Sequence, residues 1–434
     1  MNFNREIPVR YEVDVFVAGG GPAGVAAALA ASRASAKVYL SEKEQCFGGM
    51  ATAAMVPAFM RFSDGVNFLA GGVGKEVFDA LYGSDADYTP IEFPIDTEKL
   101  KRVYDKLLSE SDVTFSFENH IIAIEQTDGV ITHAIIMGKE ELFAVKAKVF
   151  IDCTGDGTLA VWAGANYQKG DEEGRMMPAS LCTLWGNIDW SRAIVELGKD
   201  PDNRRLEDAF RDGVFTVKDP GLPGMWKRED GFGGGNIGHV FGVDGTDEKS
   251  LTNGIIEARE RMTEYRTYYR GYLEGYENSE FIASGSVLGI RETRRIECEY
   301  TMRNLDYFEY SVFDDEIGRY CYPIDVHSAV IGEEEKYPGI YAKGYEKGKS
   351  YGISYRALLP KNTKNILVAG RCMGAEREIM GSLRVMPGCF ITGMAAGVAA
   401  AKSALSDTSP HFVDVHSVQK ELKKQGAFLP NFNG

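Results

Sequence analysis

Residues 13–24 read Val-Asp-Val-Phe-Val-Ala-Gly-Gly-Gly-Pro-Ala-Gly, and this stretch decides the fold class. The apolar run over residues 13–18 predicts a β-strand, and an Ala-rich helix is predicted from Ala23 to Ser35, directly after the glycines. A second strand over residues 38–40 completes a β-α-β unit. A unit of this kind indicates an α/β protein with a parallel sheet.

The glycines of this stretch have the spacing Gly-x-Gly-x-x-Gly, and an acidic residue, Glu42, follows the second strand. In a dinucleotide-binding turn, Gly19 permits the tight bend, Gly21 lets the backbone approach a pyrophosphate, and Gly24 lets the helix pack closely on the strand. The alternative is a strand–helix turn that is merely tight. We predict that the dinucleotide is bound by Gly19, Gly21, Pro22, Ala23, Gly24 and Glu42, the last of which accepts hydrogen bonds from ribose hydroxyls.

The composition excludes several classes of protein. The 434 residues include 48 Lys plus Arg and 63 Asp plus Glu, which gives a net charge of −15 and argues against nucleic-acid or membrane partners. None of the seven cysteines has C-x-x-C spacing, which argues against a disulfide framework, a metal site and an iron–sulfur cluster. We find no secretory signal and no stretch able to span a bilayer, and we expect a cytoplasmic protein.

The order of elements along the chain predicts a discontinuous domain. Asp128-Gly129 predicts a hairpin, and residues 142–151 predict a strand that leads into the glycine-rich turn 152–157. From residue 166 the chain becomes rich in Tyr and Trp, and a strand–helix pattern returns after Asn365. We predict a dinucleotide-binding domain formed by residues 1–165 plus 359–405, an inserted α+β substrate domain over residues 166–358, and a C-terminal tail over residues 406–434.

Other glycine-rich segments bear on the identity of the dinucleotide. Gly233-x-Gly235-x-x-Gly238 has neither an apolar strand before it nor an apolar helix after it, so we predict a flexible loop there and a single dinucleotide site. The first motif alone does not separate NAD from FAD. A small-residue helix after Gly388 favours FAD, because a helix N-terminus near the flavin would stabilise the anionic reduced ring. The alternative is an ordinary C-terminal strand and helix of a Rossmann-type fold.

Six segments of the chain together resemble the FAD-dependent oxidoreductase family, which is distantly similar to the fumarate reductase flavoproteins and to the FAD part of heterodisulfide reductase. They are residues 19–24, 46–52, 152–157, 289–296, 355–360 and 368–398, and the run Gly-Ser-Leu-Arg-Val-Met-Pro over 381–387 is the most specific. The resemblance implies a glutathione-reductase-type Rossmann domain that holds FAD without a covalent bond. The chain departs from the family at Arg377 and Met380, where histidines are common, and it lacks the cluster-binding cysteines of heterodisulfide reductase. The further cofactor contacts that we predict are Gly49, Thr52, Ile121, Gly155, Asp156, Gly370, Arg371 and Gly388.

Candidates for the reacting centre are arginines, histidines and a tyrosine. On a helix, Arg291, Arg294 and Arg295 would share one face and could bind a carboxylate, or they could form a structural cluster with Glu292 and Glu297. Histidine is the usual acid or base near neutral pH, and either His239 or His327 could face the flavin. The catalytic residues that we predict are Arg291, His327, Tyr355 and Arg377, although packing is the alternative role for Tyr355.

These observations predict an FAD-dependent oxidoreductase that transfers a hydride between a small organic substrate and flavin N5. The density of arginines favours an anionic or polyhydroxylated substrate. The alternative is an FAD-fold scaffold or binding protein without redox turnover. A third interpretation is a role in RNA modification or thiazole-type synthesis, and the negative charge opposes the RNA version. The oligomeric state is left open.

Overall fold

The computed structural model describes residues 4–193, 204–221, 224–331 and 345–434. Its strands are β1 (Val9–Ala18), β2 (Val38–Ser41), β3 (Ala58–Phe59), β4 (Phe93–Pro94), β5 (Thr114–Ser116), β6 (His120–Thr127), β7 (Val130–Met137), β8 (Leu142–Asp152), β9 (Tyr167–Lys169), β10 (Thr183–Gly186), β11 (Gly224–Glu229), β12 (Phe232–Asn236), β13 (Glu280–Ser284), β14 (Arg294–Ile296), β15 (Glu316–Tyr320), β16 (Tyr351–Ser354) and β17 (Ile366–Val368). Its α-helices are α1 (Pro22–Arg33), α2 (Val73–Tyr82), α3 (Thr97–Ser109), α4 (Thr158–Trp162), α5 (Arg204–Arg211), α6 (Glu248–Tyr272), α7 (Asn304–Phe308), α8 (Arg377–Leu383), α9 (Met386–Leu405) and α10 (Val415–Lys424).

The main sheet has seven strands and confirms the α/β fold with a Rossmann-type parallel sheet. Its order is β5-β2-β1-β8-β7-β6, and β17 pairs with the C-terminal part of β8. Strands β5, β2, β1, β8 and β17 are parallel, whereas β6 and β7 are antiparallel additions. The β6–β7 hairpin turns at Asp128 and Gly129, both with positive φ, as the sequence predicts. The C-terminal ends of β1, β2, β8 and β17 therefore lie at one edge, where ligands bind in open α/β sheets.

Helices α1 and α9 cover this sheet and pack on each other backbone to backbone. A Cβ atom on Gly393 would lie 2.1 Å from the carbonyl oxygen of Ala23, and one on Gly397 would lie 2.1 Å from that of Ala27. Side chains of any size would therefore separate the two helices. This packing joins the N-terminal and C-terminal parts of the chain in one hydrophobic core.

Helix α9 is long and apolar enough to cross a membrane, which differs from the expectation that the chain has no such stretch. In the structure, 89% of its apolar window is buried inside the protein. Its neighbours are α1, the main sheet and α10, so its apolar character is that of a central core helix.

A second, four-stranded sheet has the order β11-β12-β10-β13 and packs with α6 in a separate hydrophobic cluster. The predicted loop at residues 233–238 is wrong in part, because Gly233 to Gly235 lie within β12 and pair with both β10 and β11. Their lack of side chains has a packing reason. A Cβ atom on Gly234 would lie 2.6 Å from the Cβ of Pro57, so glycine allows the strand to approach that segment closely.

The predicted domain limits stay a prediction. The two hydrophobic clusters show which parts of the predicted domains pack together. Buried residues of the second cluster lie between Ala179 and Leu288. Ile317, Tyr320 and Tyr351, which also belong to the predicted inserted domain, pack in the main core instead. The segment around β15 and β16 thus shares a core with the two chain ends.

We expect Gly397→Ala to lower the free energy of unfolding by about 1–3 kcal/mol, because its Cβ would meet the Ala27 carbonyl oxygen and force the helices apart. Gly271→Ala in α6 is the matched control, since no atom lies within 4 Å of its Cβ position. The control should gain about 0.5–1 kcal/mol from the lower entropy of its unfolded state. Chemical denaturation of both variants measures the difference, and equal midpoints would contradict the role of Gly397.

Candidate active site

A cavity of about 630 Å³ opens at the edge of the main sheet where its parallel strands end. Segments from both ends of the chain and from the loops around residues 180, 290 and 325 contribute to its wall. Eleven of the fourteen predicted cofactor residues line it, namely Gly19, Gly21, Pro22, Ala23, Glu42, Gly49, Ile121, Gly155, Asp156, Gly370 and Arg371.

The glycine-rich turn after β1 leaves the N-terminus of α1 open to the cavity. Gly19 has φ +90°, and a Cβ on Gly24 would lie 1.7 Å from the Gly19 carbonyl oxygen, so Gly24 permits close packing without facing the cavity. Gly21 is different, because no atom lies within 4 Å of its Cβ position. No side chain caps the first N–H groups of α1. Exposed N–H groups at a helix N-terminus fit an anionic diphosphate.

Glu42 lies at the end of β2 and is 5% exposed. Its carboxylate accepts hydrogen bonds from the backbone N–H groups of Gly20 (2.5 Å) and Glu44 (2.8 Å). Burial raises the pKa of Glu42, and these two hydrogen bonds oppose that rise. Each carboxylate oxygen has a further lone pair, so Glu42 can still accept hydrogen bonds from hydroxyls of a ligand in the cavity.

A buried carboxylate shapes the turn after β8. Oδ2 of Asp152 accepts hydrogen bonds from the backbone N–H groups of Leu159 (2.7 Å) and Ala160 (3.1 Å), at the start of α4. The next acidic residue, Asp156, accepts a hydrogen bond from Arg371 Nη2 at 2.7 Å. This ion pair joins the turn after β8 to the turn after β17, so both turns keep a fixed position at the cavity wall.

Three predicted cofactor residues do not line the cavity. They are Gly24, Thr52 and Gly388, and each has a packing role. The Thr52 hydroxyl donates a hydrogen bond to the Phe47 carbonyl at 2.6 Å, which holds the loop that carries Gly49. A Cβ on Gly388 would lie 2.6 Å from the Leu383 carbonyl oxygen, so this glycine allows the close approach of α8 and α9.

The structure places two of the four predicted catalytic residues at the cavity and two away from it. Arg291 and His327 line the cavity, whereas Tyr355 and Arg377 do not. The Tyr355 hydroxyl donates a hydrogen bond to the Pro410 carbonyl (2.9 Å), and Arg377 forms an ion pair with Glu292 (2.8 Å). Both side chains are therefore used in holding the fold together.

The shared helical face of Arg291, Arg294 and Arg295 is wrong, because residues 294–296 form strand β14 and pair with β9. In an extended segment, successive side chains point to opposite sides. The three arginine side chains are therefore separated. Arg295 is buried beside Glu292, and Arg294 lies over the ring of Tyr167. The ion pair of Arg295 with Glu292 agrees with the structural alternative, whereas the described contacts of Arg294 are with the Asp156 carbonyl and the Tyr167 ring.

Arg291 brings an unbalanced positive charge to the cavity. Its side chain is buried, and Nη1 donates hydrogen bonds to the Pro178 carbonyl (2.7 Å) and the Ser180 hydroxyl (3.0 Å), both of which are uncharged. Among the described residues, no carboxylate lies within 4.0 Å of this guanidinium. Burial and the nearby charge of Arg384 lower the pKa of Arg291 to about 10, so it remains charged at neutral pH.

Four side chains beside His327 were absent from the predicted catalytic set. They are Asp219, His239, Asp325 and Arg384. The spacing Asp-x-His over residues 325–327 and the arginine in the Gly-Ser-Leu-Arg run were signals for two of them. Asp219 gave no such signal, because Lys-Asp-Pro-Gly is typical of an ordinary turn.

The comparisons with known proteins give one family model and several distantly similar solved structures. A sequence model of the family described as FAD dependent oxidoreductase matches residues 14–422. Among solved structures, a geranylgeranyl bacteriochlorophyll reductase-like protein from Thermoplasma acidophilum is 14% identical with a TM-score of 0.48, and the match covers 96% of this chain and 84% of that one. A p-nitrophenol 4-monooxygenase from Pseudomonas putida is 13% identical with a TM-score of 0.47 and the same coverage. A myxobacterial chondrochloren halogenase is 11% identical with a TM-score of 0.43, covering 96% of this chain and 79% of that one.

We expect Gly21→Val and Gly24→Val to separate cofactor binding from folding. A side chain at Gly21 enters open space at the α1 N-terminus, so this variant should fold normally and bind FAD at least about tenfold more weakly, a loss of about 1.4 kcal/mol. A side chain at Gly24 meets the Gly19 carbonyl and should destabilise the protein itself. Flavin fluorescence titration and thermal unfolding of the apoprotein distinguish the two, and unchanged FAD affinity in Gly21→Val would contradict the assignment.

Proposed function

The chain belongs to the FAD dependent oxidoreductase family, its cofactor is FAD, and we propose that it transfers a hydride between a small anionic organic substrate and flavin N5. The observation that carries the proposal is the buried guanidinium of Arg291, which lines the cavity without an ion-pair partner in the described residues. The cofactor supplies a two-electron acceptor or donor when it is bound. The protein contributes binding, orientation and charge.

The residues that would hold FAD come from the two ends of the chain. The N–H groups of α1 face the diphosphate of the ligand, and Glu42 accepts hydrogen bonds from its ribose hydroxyls. The ion pair of Asp156 and Arg371 fixes the two turns that border the same part of the cavity. These groups are preorganised by hydrogen bonds within the protein, so ligand binding requires little rearrangement of them.

Arg291 supports an anionic substrate through its electrostatics. An isolated buried charge is unfavourable by several kcal/mol unless an opposite charge or hydrogen bonds compensate it. Arg384 also lines the cavity, but its charge is balanced by Asp325, whose Oδ2 lies 3.1 Å from its Nη2. A carboxylate or another small anion would supply the close ion-pair partner that Arg291 does not have among the described residues, and it would be oriented by Arg291.

An anaerobic screen tests the redox function directly. Purified holoenzyme should lose its flavin absorption when the correct donor is added, and the screen should contain sugars, hydroxy acids and unsaturated acids, the last against reduced enzyme. Reduction by an anionic compound supports the proposal. Bound FAD that no donor reduces and no unsaturated acid reoxidises would contradict it and favour the scaffold alternative. Turnover with neutral compounds only would contradict the anionic substrate.

We expect Arg291→Met to raise the KM of the anionic substrate about 10- to 100-fold, because a hydrogen bond to a charged group contributes about 1.5–3 kcal/mol. The change in kcat should be smaller. Arg356→Met is the matched control, since Arg356 lies outside the cavity and forms a half-exposed ion pair with Asp315. Steady-state kinetics of both variants measure the effect, and an equal change in KM would remove Arg291 from substrate binding.

A further inference from the structure

Four side chains from three loops form a row that leads from the cavity into the protein. His327 and Asp325 line the cavity, and His239 and Asp219 lie buried behind them. Nδ1 of His239 lies 3.0 Å from Oδ2 of Asp219, Nε2 of His239 lies 3.1 Å from Nδ1 of His327, and Nε2 of His327 lies 3.2 Å from Oδ1 of Asp325. All three contacts are within hydrogen-bonding distance.

The buried end of the row decides where the ring protons lie. Oδ2 of Asp219 is buried and has no hydrogen-bond partner among the described residues, and Nδ1 of His239 lies 3.0 Å from it, so a proton on this nitrogen would satisfy the oxygen. A neutral imidazole has one N–H group, so Nε2 of His239 is then an acceptor and takes the Nδ1–H of His327. Nε2 of His327 is consequently left with a free lone pair at the cavity.

At the cavity end of the row, Nε2 of His327 can accept a proton beside the carboxylate of Asp325. Burial raises the pKa of Asp325, whereas a proton on His327 and the positive charges of Arg384 and Arg291 lower it, and the pKa lies below its usual range. Asp325 is therefore ionised and does not supply a proton to Nε2 of His327. The two acceptors face each other at 3.2 Å, and a proton placed on Nε2 would turn this contact into a charged hydrogen bond.

The surroundings keep both rings neutral at pH 7. Burial and the charge of Arg291 lower the pKa of His327 to about 3, with Asp325 opposing them. Burial also lowers the pKa of His239, and the contact with Asp219 opposes that change. The other titratable or charged groups that face the row are Arg261, which donates to the His239 carbonyl, and Tyr265, Tyr322 and Cys182, whose pKa values are raised by burial.

We propose that Nε2 of His327 is the catalytic base, that His239 and Asp219 position its lone pair, and that the substrate is an alcohol bearing an anionic group, such as a hydroxy acid. This inference rests on the proposed function. Oxidation of the alcohol breaks its C–H bond with transfer of a hydride to FAD, and it breaks the O–H bond with transfer of the proton to Nε2 of His327. The electrons of the O–H bond form the carbonyl of the product, and Asp325 stabilises the new imidazolium.

The weak basicity of His327 favours an alcohol over a saturated acid. As the hydride leaves an alcohol carbon, its hydroxyl becomes that of a protonated carbonyl, which is a strong acid. A neutral imidazole of low pKa is sufficient to accept such a proton. Removal of a proton from a saturated carbon would require a much stronger base.

NMR of holoenzyme with ¹⁵N-labelled histidine at pH 7 tests the arrangement without any substrate. His239 and His327 should both carry their proton on Nδ1, and the variants His239→Asn and His327→Asn assign their signals. Wild-type protein in which His327 carries its proton on Nε2 would overturn the proposal. The variants serve only to assign the signals, and the tautomer itself is measured on the wild-type protein.

The histidine tautomers of the variant Asp219→Asn provide a second measurement. They would not change if Asp219 had only a structural role. Oδ1 of Asp219 accepts the Gly221 N–H at 2.9 Å, so the amide nitrogen of the variant takes the place of Oδ2 and donates to His239. Both rings should then carry their protons on Nε2, so Nε2 of His327 no longer has a lone pair at the cavity. Asp212→Asn, at the exposed end of α5, is the control and should leave both tautomers unchanged. Unchanged tautomers in Asp219→Asn would overturn the positioning role.

Kinetics separate this inference from the proposed function. With a hydroxy acid that reduces bound FAD, Asp219→Asn should slow reduction by about 10²- to 10⁴-fold with little change in substrate affinity, whereas His133→Asn should be unaffected. Normal reduction in Asp219→Asn, or a substrate found only among unsaturated acids, would overturn the inference while the redox function stands. If no donor reduces FAD and no unsaturated acid reoxidises the reduced enzyme, the proposed function is wrong, whatever the tautomers are.

Discussion

The close packing of α1 on α9 is the constraint on which the rest of the structure depends. Because Gly393 and Gly397 lack side chains, the two helices approach until their backbones are in contact. This contact places the turn after β1 beside the turn after β17, although more than 300 residues separate them in the sequence. The cofactor cavity is therefore assembled from both ends of the chain, and its formation requires the whole fold.

The cavity wall carries as many basic as acidic side chains in a protein of net charge −15. Most arginines around it are balanced by acidic partners, as Arg371 is by Asp156 and Arg384 by Asp325. Arg291 differs because its described hydrogen bonds go to uncharged oxygens. A guanidinium in a buried wall exerts a strong local field, since the low dielectric of the interior screens it poorly, and the charges of Asp325 and Asp219 oppose part of this field. The overall charge of the chain gives no indication of this local field.

The same field connects the arginines with the histidines. Burial and Arg291 disfavour the imidazolium of His327, while Asp325 favours it. A base in this position is neutral before it accepts a proton and is stabilised after it has done so. The buried pair of His239 and Asp219 determines which ring nitrogen of His327 carries the lone pair.

Much of the fold could be predicted from local patterns. The spacing of Gly19, Gly21 and Gly24 and the alternation of strands and helices identified the Rossmann-type sheet, and the family resemblance identified FAD. The segment over residues 233–238 was predicted as a loop because no apolar strand precedes it and no apolar helix follows it, yet Gly233 to Gly235 lie in β12, where the approach of Pro57 leaves room only for glycine at position 234. Arg294 and Arg295 were placed on a helix by their spacing alone, and pairing with β9 decided otherwise.

By itself, the sequence determined the α/β class, the single dinucleotide motif and the cofactor family, because each depends on residues that are close together in the chain. Only the tertiary structure decided which arginine of the cavity has no carboxylate within 4.0 Å among the described residues, and which histidine faces the cavity. Asp219, His239 and His327 come from three loops with no common motif, and their hydrogen-bonding distances arise when the second sheet and the main core pack together. The charge and protonation of a side chain depend on such non-local contacts, which no local pattern of residues records.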